Sequence, residues 1–131
     1  EAPLDGVLLD APCTATGTLR RRPDAAFAKQ DGDVANLARI QDALLDAAAD
    51  MVRPGGRIVY CTCSLEAEEG EARIAAALAR RSNLRRDPVR ADAPPGLAEA
   101  ITADGAVRTR PDLWAGRGGL DGFYMARLVK A

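Results

Sequence analysis

Two hydrophobic rhythms alternate along this chain. Short continuous apolar runs, Val7-Leu8-Leu9 and Ile58-Val59-Tyr60, have the length and branching of strands buried on both faces. Between them, Leu37, Ile40, Leu44, Ala48 and Met51 recur at helical spacing and predict a helix over about Val34 to Val52. Asp33 is its candidate N-cap, and Pro54-Gly55-Gly56 is its stop signal. A second helix is expected over about Ala67 to Arg81. Glu66, Glu68, Glu69 and Glu71 lie near its start and Arg80 and Arg81 at its end, a charge order that suits the helix dipole. Ile74 and Leu78 anchor it.

Beyond Asn83 the pattern is weaker. Leu84 to Val89 reads as a short strand, Asp92 to Gly96 as a loop, Ala106 to Thr109 as extended and Pro111 to Leu120 as a Gly-rich loop carrying Trp114. Phe123 to Val129 is a final strand, with Phe123, Met125 and Arg127 alternating against Tyr124, Ala126 and Leu128. Strand, helix, strand, helix across tight turns is the rhythm of an α/β fold with a mostly parallel sheet. With 131 residues, one domain is expected.

Both buried runs end in chemistry. The first leads into Asp10-Ala11-Pro12-Cys13, with Pro12 closing the strand. The second leads into Cys61-Thr62-Cys63-Ser64. Ligands of open α/β sheets bind beyond the carboxyl ends of the strands. A right-handed crossover would bring both ends to one edge, making neighbours of Asp10, Cys13 and Cys63. A helix opening just after Cys63 would favour its thiolate. Cys61, inside the strand, reads as a small core hydrophobe.

Composition narrows the chemistry. The chain has no histidine, which removes Ser-His-Asp and Cys-His nucleophiles and most zinc enzymes. Three cysteines make no disulfide framework and point to a reducing, cytoplasmic setting. They lack the usual two-residue gap of a zinc knuckle. Charged residues are 28% and the net charge is −1, so no global basic field draws the chain to nucleic acid. Local arginine clusters remain: Arg20-Arg21-Arg22, and Arg80, Arg81, Arg85, Arg86 and Arg90. The second reads as a solvated face. No apolar run approaches the roughly 20 residues of a membrane span.

Three motifs, in order, resemble the RNA cytosine-5 methyltransferases of the Sun/RsmB type: Asp10-Ala11-Pro12-Cys13 with Thr14-Ala15-Thr16-Gly17 and Arg21-Arg22-Pro23-Asp24; Tyr60-Cys61-Thr62-Cys63-Ser64 with Glu68-Glu69; and Asp121-Gly122-Phe123-Tyr124 with Ala126-Arg127-Leu128. The likeness spans Asp5 to Lys130. It implies a partial Rossmann-like class I methyltransferase fold, with family strands ordered four, five, seven, six and the last antiparallel between two parallel ones. It implies Cys63 as the nucleophile toward carbon 6 of cytosine, Cys13 as the residue that resolves the adduct, and S-adenosylmethionine as cofactor beside Asp10 and Pro12. RNA, either rRNA or tRNA, would lie along Thr14, Arg20, Arg21 and Arg22. Related DNA enzymes use the Pro-Cys cysteine as nucleophile, so the presence of both cysteines selects the RNA type.

Neither Gly55-Gly56 nor Gly116 to Gly119 follows a strand and opens a helix, so the cofactor's Gly-rich loop is absent from this stretch. The chain is therefore expected to be the C-terminal part of a catalytic domain, inactive alone. The Asp10 strand would expose an edge open to self-association. A different reading is a methyltransferase-like module that binds RNA or a partner without catalysis.

Overall fold

The computed structural model describes residues 3–28, 30, 32–90 and 95–131. A five-stranded mixed sheet carries two helices. Its elements are β1 (Leu4–Asp10), α1 (Asp33–Met51), β2 (Val52–Thr62), α2 (Glu71–Arg80), β3 (Leu84–Arg86), β4 (Val107–Thr109) and β5 (Phe123–Lys130). The order is β1-β2-β5-β3, with β4 also on β5. β1 and β2 run parallel, while β5 is antiparallel to β2, β3 and β4. This is the strand order that the motifs implied. The expected loop at 92–96 falls largely outside the described residues.

The core follows from strand alternation. Ile58 and Tyr60 of β2 and Tyr124, Ala126 and Leu128 of β5 meet Leu45, Ala48 and Ala49 of α1 and Ile74 and Ala77 of α2, all buried. Fully burying one such aliphatic side chain is worth about 1.5–3 kcal/mol. Ala48 and Ala49 let α1 lie close on the sheet.

Several element edges differ from the sequence reading. Helix α1 turns Ala38, Gln41, Leu45, Ala48 and Ala49 inward, while Ile40 and Met51 are about half exposed. Ala48 of the expected stripe is buried as expected; the rest of the inward stripe lies one residue step, about 100°, further on. The long-side-chain stripe misled because the alanine stripe permits the closer approach. Gly32, at φ 90°, is the N-cap, and Asp33 is the first helical residue. Its carboxylate instead accepts the Gln30 N–H at 2.8 Å.

Pro54-Gly55-Gly56 does not stop the helix, which ends at Met51; it lies inside β2. The pairing jumps there from Leu4↔Val52 to Gly6↔Arg57, and Gly55 at φ 78° allows the excess residues to loop out. The second helix is also shorter than expected. Residues Ala67–Glu69 form a separate turn, and α2 opens only at Glu71. Gly70 sits against the Tyr124 ring, where a Cβ would come within 2.9 Å of Cγ. That contact leaves room only for glycine at the break.

The second arginine cluster is largely engaged in ion pairs. Arg73 and Arg80 of α2 and Arg81, its C-cap, face Asp42, Asp46 and Asp50 of α1, and Arg86 pairs with Asp104 at 2.9 Å. Among the described residues no helix is long and apolar enough to cross a membrane.

Candidate active site

Parallel pairing in register, Leu9↔Tyr60 and Asp10↔Cys61, delivers the ends of β1 and β2 to one edge. Just past those ends, Cys13 Sγ and Cys63 Sγ stand 3.5 Å apart, although 50 residues separate them. Both are half-buried and free. Burial pushes the Cys13 thiol up to about 12, and its contact with Cys63 adds to the rise. Cys13 thus carries its proton at neutral pH, and in the sulfur–sulfur contact either thiol can donate.

No α-helix opens directly behind Cys63, because α2 begins at Glu71. The helix-dipole reason for a Cys63 thiolate therefore lapses. The nearby positive charge is Arg21, whose guanidinium is held above its usual range chiefly by Asp121 and in smaller part by the Cys63 sulfur. Cys61 is buried. It points its thiol at Leu9 O, 3.6 Å away, and at Asp10 Oδ1, 3.8 Å away, and burial raises it to about 11. It behaves as the core cysteine expected.

The loops carrying the two thiols are locked together by backbone. Gly17 N–H donates to Cys63 O and Gly122 N–H to Gly17 O, both at 2.8 Å. Gly17 is squeezed between them: a Cβ there would lie 1.9 Å from Gly122 O and 2.8 Å from Cys63 O. Thr16 Oγ1 accepts the Leu65 N–H at 2.8 Å. Arg108 holds the Cys63 loop from behind. It donates to Ser64 O and to both oxygens of Glu71 and lies 4.9 Å over the Tyr124 ring.

Beneath the thiols is a carboxylate that sequence reasoning missed. Glu69 is fully buried and accepts from Thr14, Gln41 and Ser64. In the sequence it is one of four acids in a short run, paired with Glu68 in the second cysteine motif but with no role of its own to distinguish it. Gln41, also fully buried, donates to Pro12 O at 2.8 Å. The one available signal was its place on α1 between apolar positions.

The other expected site residues divide. Asp10 ends β1 and is exposed beside Cys61; Pro12 is exposed at the same edge. Thr14 turns inward to Glu69, with its hydroxyl 2.6 Å from Oε2. Arg20 pairs with Asp121 at 2.8 Å, and Arg21 grips the same carboxylate with two nitrogens. Arg22 stands 3.8 Å from Asp24. The three arginines thus form an exposed arm with its own counter-charges. A groove of about 330 Å³ runs from Cys13 and Thr14 past Arg22 and Asp24 to Asp33 and Leu37.

The sheet order and the paired thiols at its carboxyl edge define part of a class I methyltransferase fold built around two cysteines. The model of the family 16S rRNA methyltransferase RsmB/F matches residues 1–129, and the chain belongs to that family. It is 37% identical over 127 residues to ribosomal RNA small subunit methyltransferase B of Shewanella oneidensis, covering 97% of this chain and 27% of that protein. The protein of the same name from Klebsiella pneumoniae is 39% identical over 126 residues, with 96% and 26% covered. The chain thus spans about a quarter of the length of these relatives. Two crystal structures from Pyrococcus horikoshii share the fold. A methyltransferase homolog superposes with TM-score 0.74 at 30% identity, covering 99% of this chain and 40% of that one. NSun6 with SFG superposes with TM-score 0.68 at 30% identity, covering 94% and 29%.

Proposed function

We propose that this chain is the C-terminal part of a catalytic domain that methylates carbon 5 of a cytosine in RNA. Small-subunit rRNA is the substrate, with S-adenosylmethionine as methyl donor. The observation carrying the proposal is the 3.5 Å approach of Cys13 and Cys63 at the carboxyl edge of two parallel strands. One pyrimidine can meet both sulfurs there. The family, the names of the relatives and the SFG-bound neighbour support the RNA and the cofactor.

The two thiols divide the work. Cys63 Sγ adds to carbon 6, forming the S–C bond and moving the 5,6 π pair onto carbon 5. This is covalent catalysis, which splits one hard substitution into easier steps. S-adenosylmethionine supplies an electrophilic methyl group when bound. Asp10, exposed at the end of β1 with a thiol at 3.8 Å, leaves carboxylate oxygen open. It suits a cationic ligand, and with Pro12 it would lie against the methionine end.

After transfer, water reaching the half-buried thiols takes the carbon 5 proton; the C–H pair re-forms the 5,6 double bond, and the S–C pair leaves on Cys63 as its thiolate. Cys13, kept protonated by burial, stands as a hydrogen-bond donor to the neighbouring sulfur and favours that departure. The target base must leave any stack to reach the thiols. Arg20, Arg21 and Arg22 lie beside the site to meet phosphate.

The test is methyl transfer by the protein in its natural full length. Small-subunit rRNA lacking the modification is incubated with labelled S-adenosylmethionine and the product nucleosides are separated. Label in 5-methylcytidine supports the proposal. RNA retention with no label in any nucleoside would favour a binding module instead.

A further inference from the structure

Resting on that reading, we infer that Glu69 is a positioning residue of the two-cysteine site, holding Cys13 and Cys63 at their working separation. One oxygen, Oε2, takes the Thr14 hydroxyl at 2.6 Å and the Ser64 hydroxyl. Thr14 directly follows Cys13, and Ser64 directly follows Cys63. A single carboxylate atom therefore bridges the residues next to both thiols. The other oxygen, Oε1, takes the Thr14 N–H at 3.0 Å and the Gln41 amide at 3.2 Å.

Every group facing the carboxylate is a donor, which is the complement of an acceptor-only side chain. The backbone of Glu69 is fixed as well: its carbonyl accepts the Tyr60 hydroxyl at 2.6 Å from β2. Gln41 carries the tie onward to Pro12 O. Glu69 thus joins the Cys13 loop, the Cys63 loop, β2 and α1 through one buried residue. A partly satisfied network of this kind loses its geometry rather than one contact.

Glu69→Gln tests this. Gln keeps the shape but turns a donor toward donors, and the fixed Thr14 N–H cannot adapt. The natural full-length protein is assayed for methyl transfer at varied RNA. In parallel, both proteins are treated with dibromobimane, which bridges two close thiols by displacing two bromides; the Cys13–Cys63 peptide pair is quantified by mass spectrometry. A misplacement on the order of 1 Å costs roughly 10²-fold in rate. The expected result is a kcat lower by about that factor, an RNA KM within about twofold of wild type, and bimane bridging reduced in step. Thr14→Val and Ser64→Ala each lower kcat and bridging, and neither adds to Glu69→Gln, because all three break one unit.

Wild-type bridging with kcat within about threefold in Glu69→Gln would overturn the inference. Should Glu69→Gln fail to fold, the two hydroxyl variants decide it by the same readouts. If the wild type bridges its thiols and Glu69→Gln does not, while no cytosine is methylated by either, the positioning role stands and the methyltransferase reading falls.

Discussion

Gly17→Ala should damage this site out of proportion to its size. The added Cβ would lie 1.9 Å from Gly122 O, backbone in the segment that leads directly into β5. Ordinary contact needs about 3.5 Å, so one of the two loop segments must move by about 1.5 Å. Gly17 does not sit at a positive φ, so the whole effect is steric. That displacement breaks Gly17 N–H to Cys63 O and Gly122 N–H to Gly17 O. Two lost backbone bonds in a buried setting cost about 1–3 kcal/mol each, for a total of roughly 2–6 kcal/mol. The same movement separates the Cys13 loop from Cys63, and about 10²-fold in rate is expected to go with it. Urea unfolding gives the first number and single-turnover methyl transfer the second. Gly116→Ala is the control: a Cβ there meets nothing within 4 Å, and its effect is expected within about 0.5 kcal/mol. If Gly17→Ala matched the control in both assays, the locked-loop account would be wrong.

Other outcomes follow from the same contacts. Cys61, buried and raised to about 11, is expected to resist iodoacetamide at pH 8 in the folded protein and react on unfolding, as read by peptide mapping; burial likewise raises Cys13, to about 12. Their folded pKa values exceed the unfolded ones, so the stability they carry is full below about pH 9. It is lost as pH rises through their folded values, which a urea series at increasing pH would show as a falling midpoint. Leu45→Ala, at a fully buried α1 position, is expected to cost about 2–5 kcal/mol, whereas Ile40→Ala, about half exposed, is expected to cost under about 1 kcal/mol; equal losses in urea melts would put the inward face of α1 back where the periodicity placed it. Asp121→Asn releases Arg20 and Arg21 from their shared carboxylate, and the salt dependence of RNA binding is expected to steepen by roughly 0.7 for each arginine that then meets phosphate. An unchanged slope in filter binding would place the arm away from RNA.

How much the sequence disclosed depended on whether a signal was local. Strand ends were legible because apolar runs stop at Pro12 and at the Thr-Cys-Ser turn, and the α/β alternation then brought Cys13 and Cys63 together. The alternation of Phe123 to Leu128 was legible for the same reason. The inward face of α1 was not, because two stripes a residue apart both fit a helix and only packing on β2 chose the alanines. The need for glycine at the break comes from the Tyr124 ring, which is remote in sequence. Glu69 was hidden among acids that look alike until the fold folds one of them under the thiols. The arginine arm was visible as charge, but its partner Asp121 lies about a hundred residues away.

The central claim is that Cys63, not Cys13, bonds to cytosine. Its most direct test is denaturing electrophoresis of the natural full-length protein with S-adenosylmethionine and rRNA carrying 5-fluorocytosine, whose carbon 5 cannot release a proton, followed by mapping of the RNA-linked peptide. The account predicts one stable adduct on the peptide containing Cys63, lost in Cys63→Ala and retained in Cys13→Ala. An adduct mapped to the peptide containing Cys13, or one that survives Cys63→Ala, would contradict it.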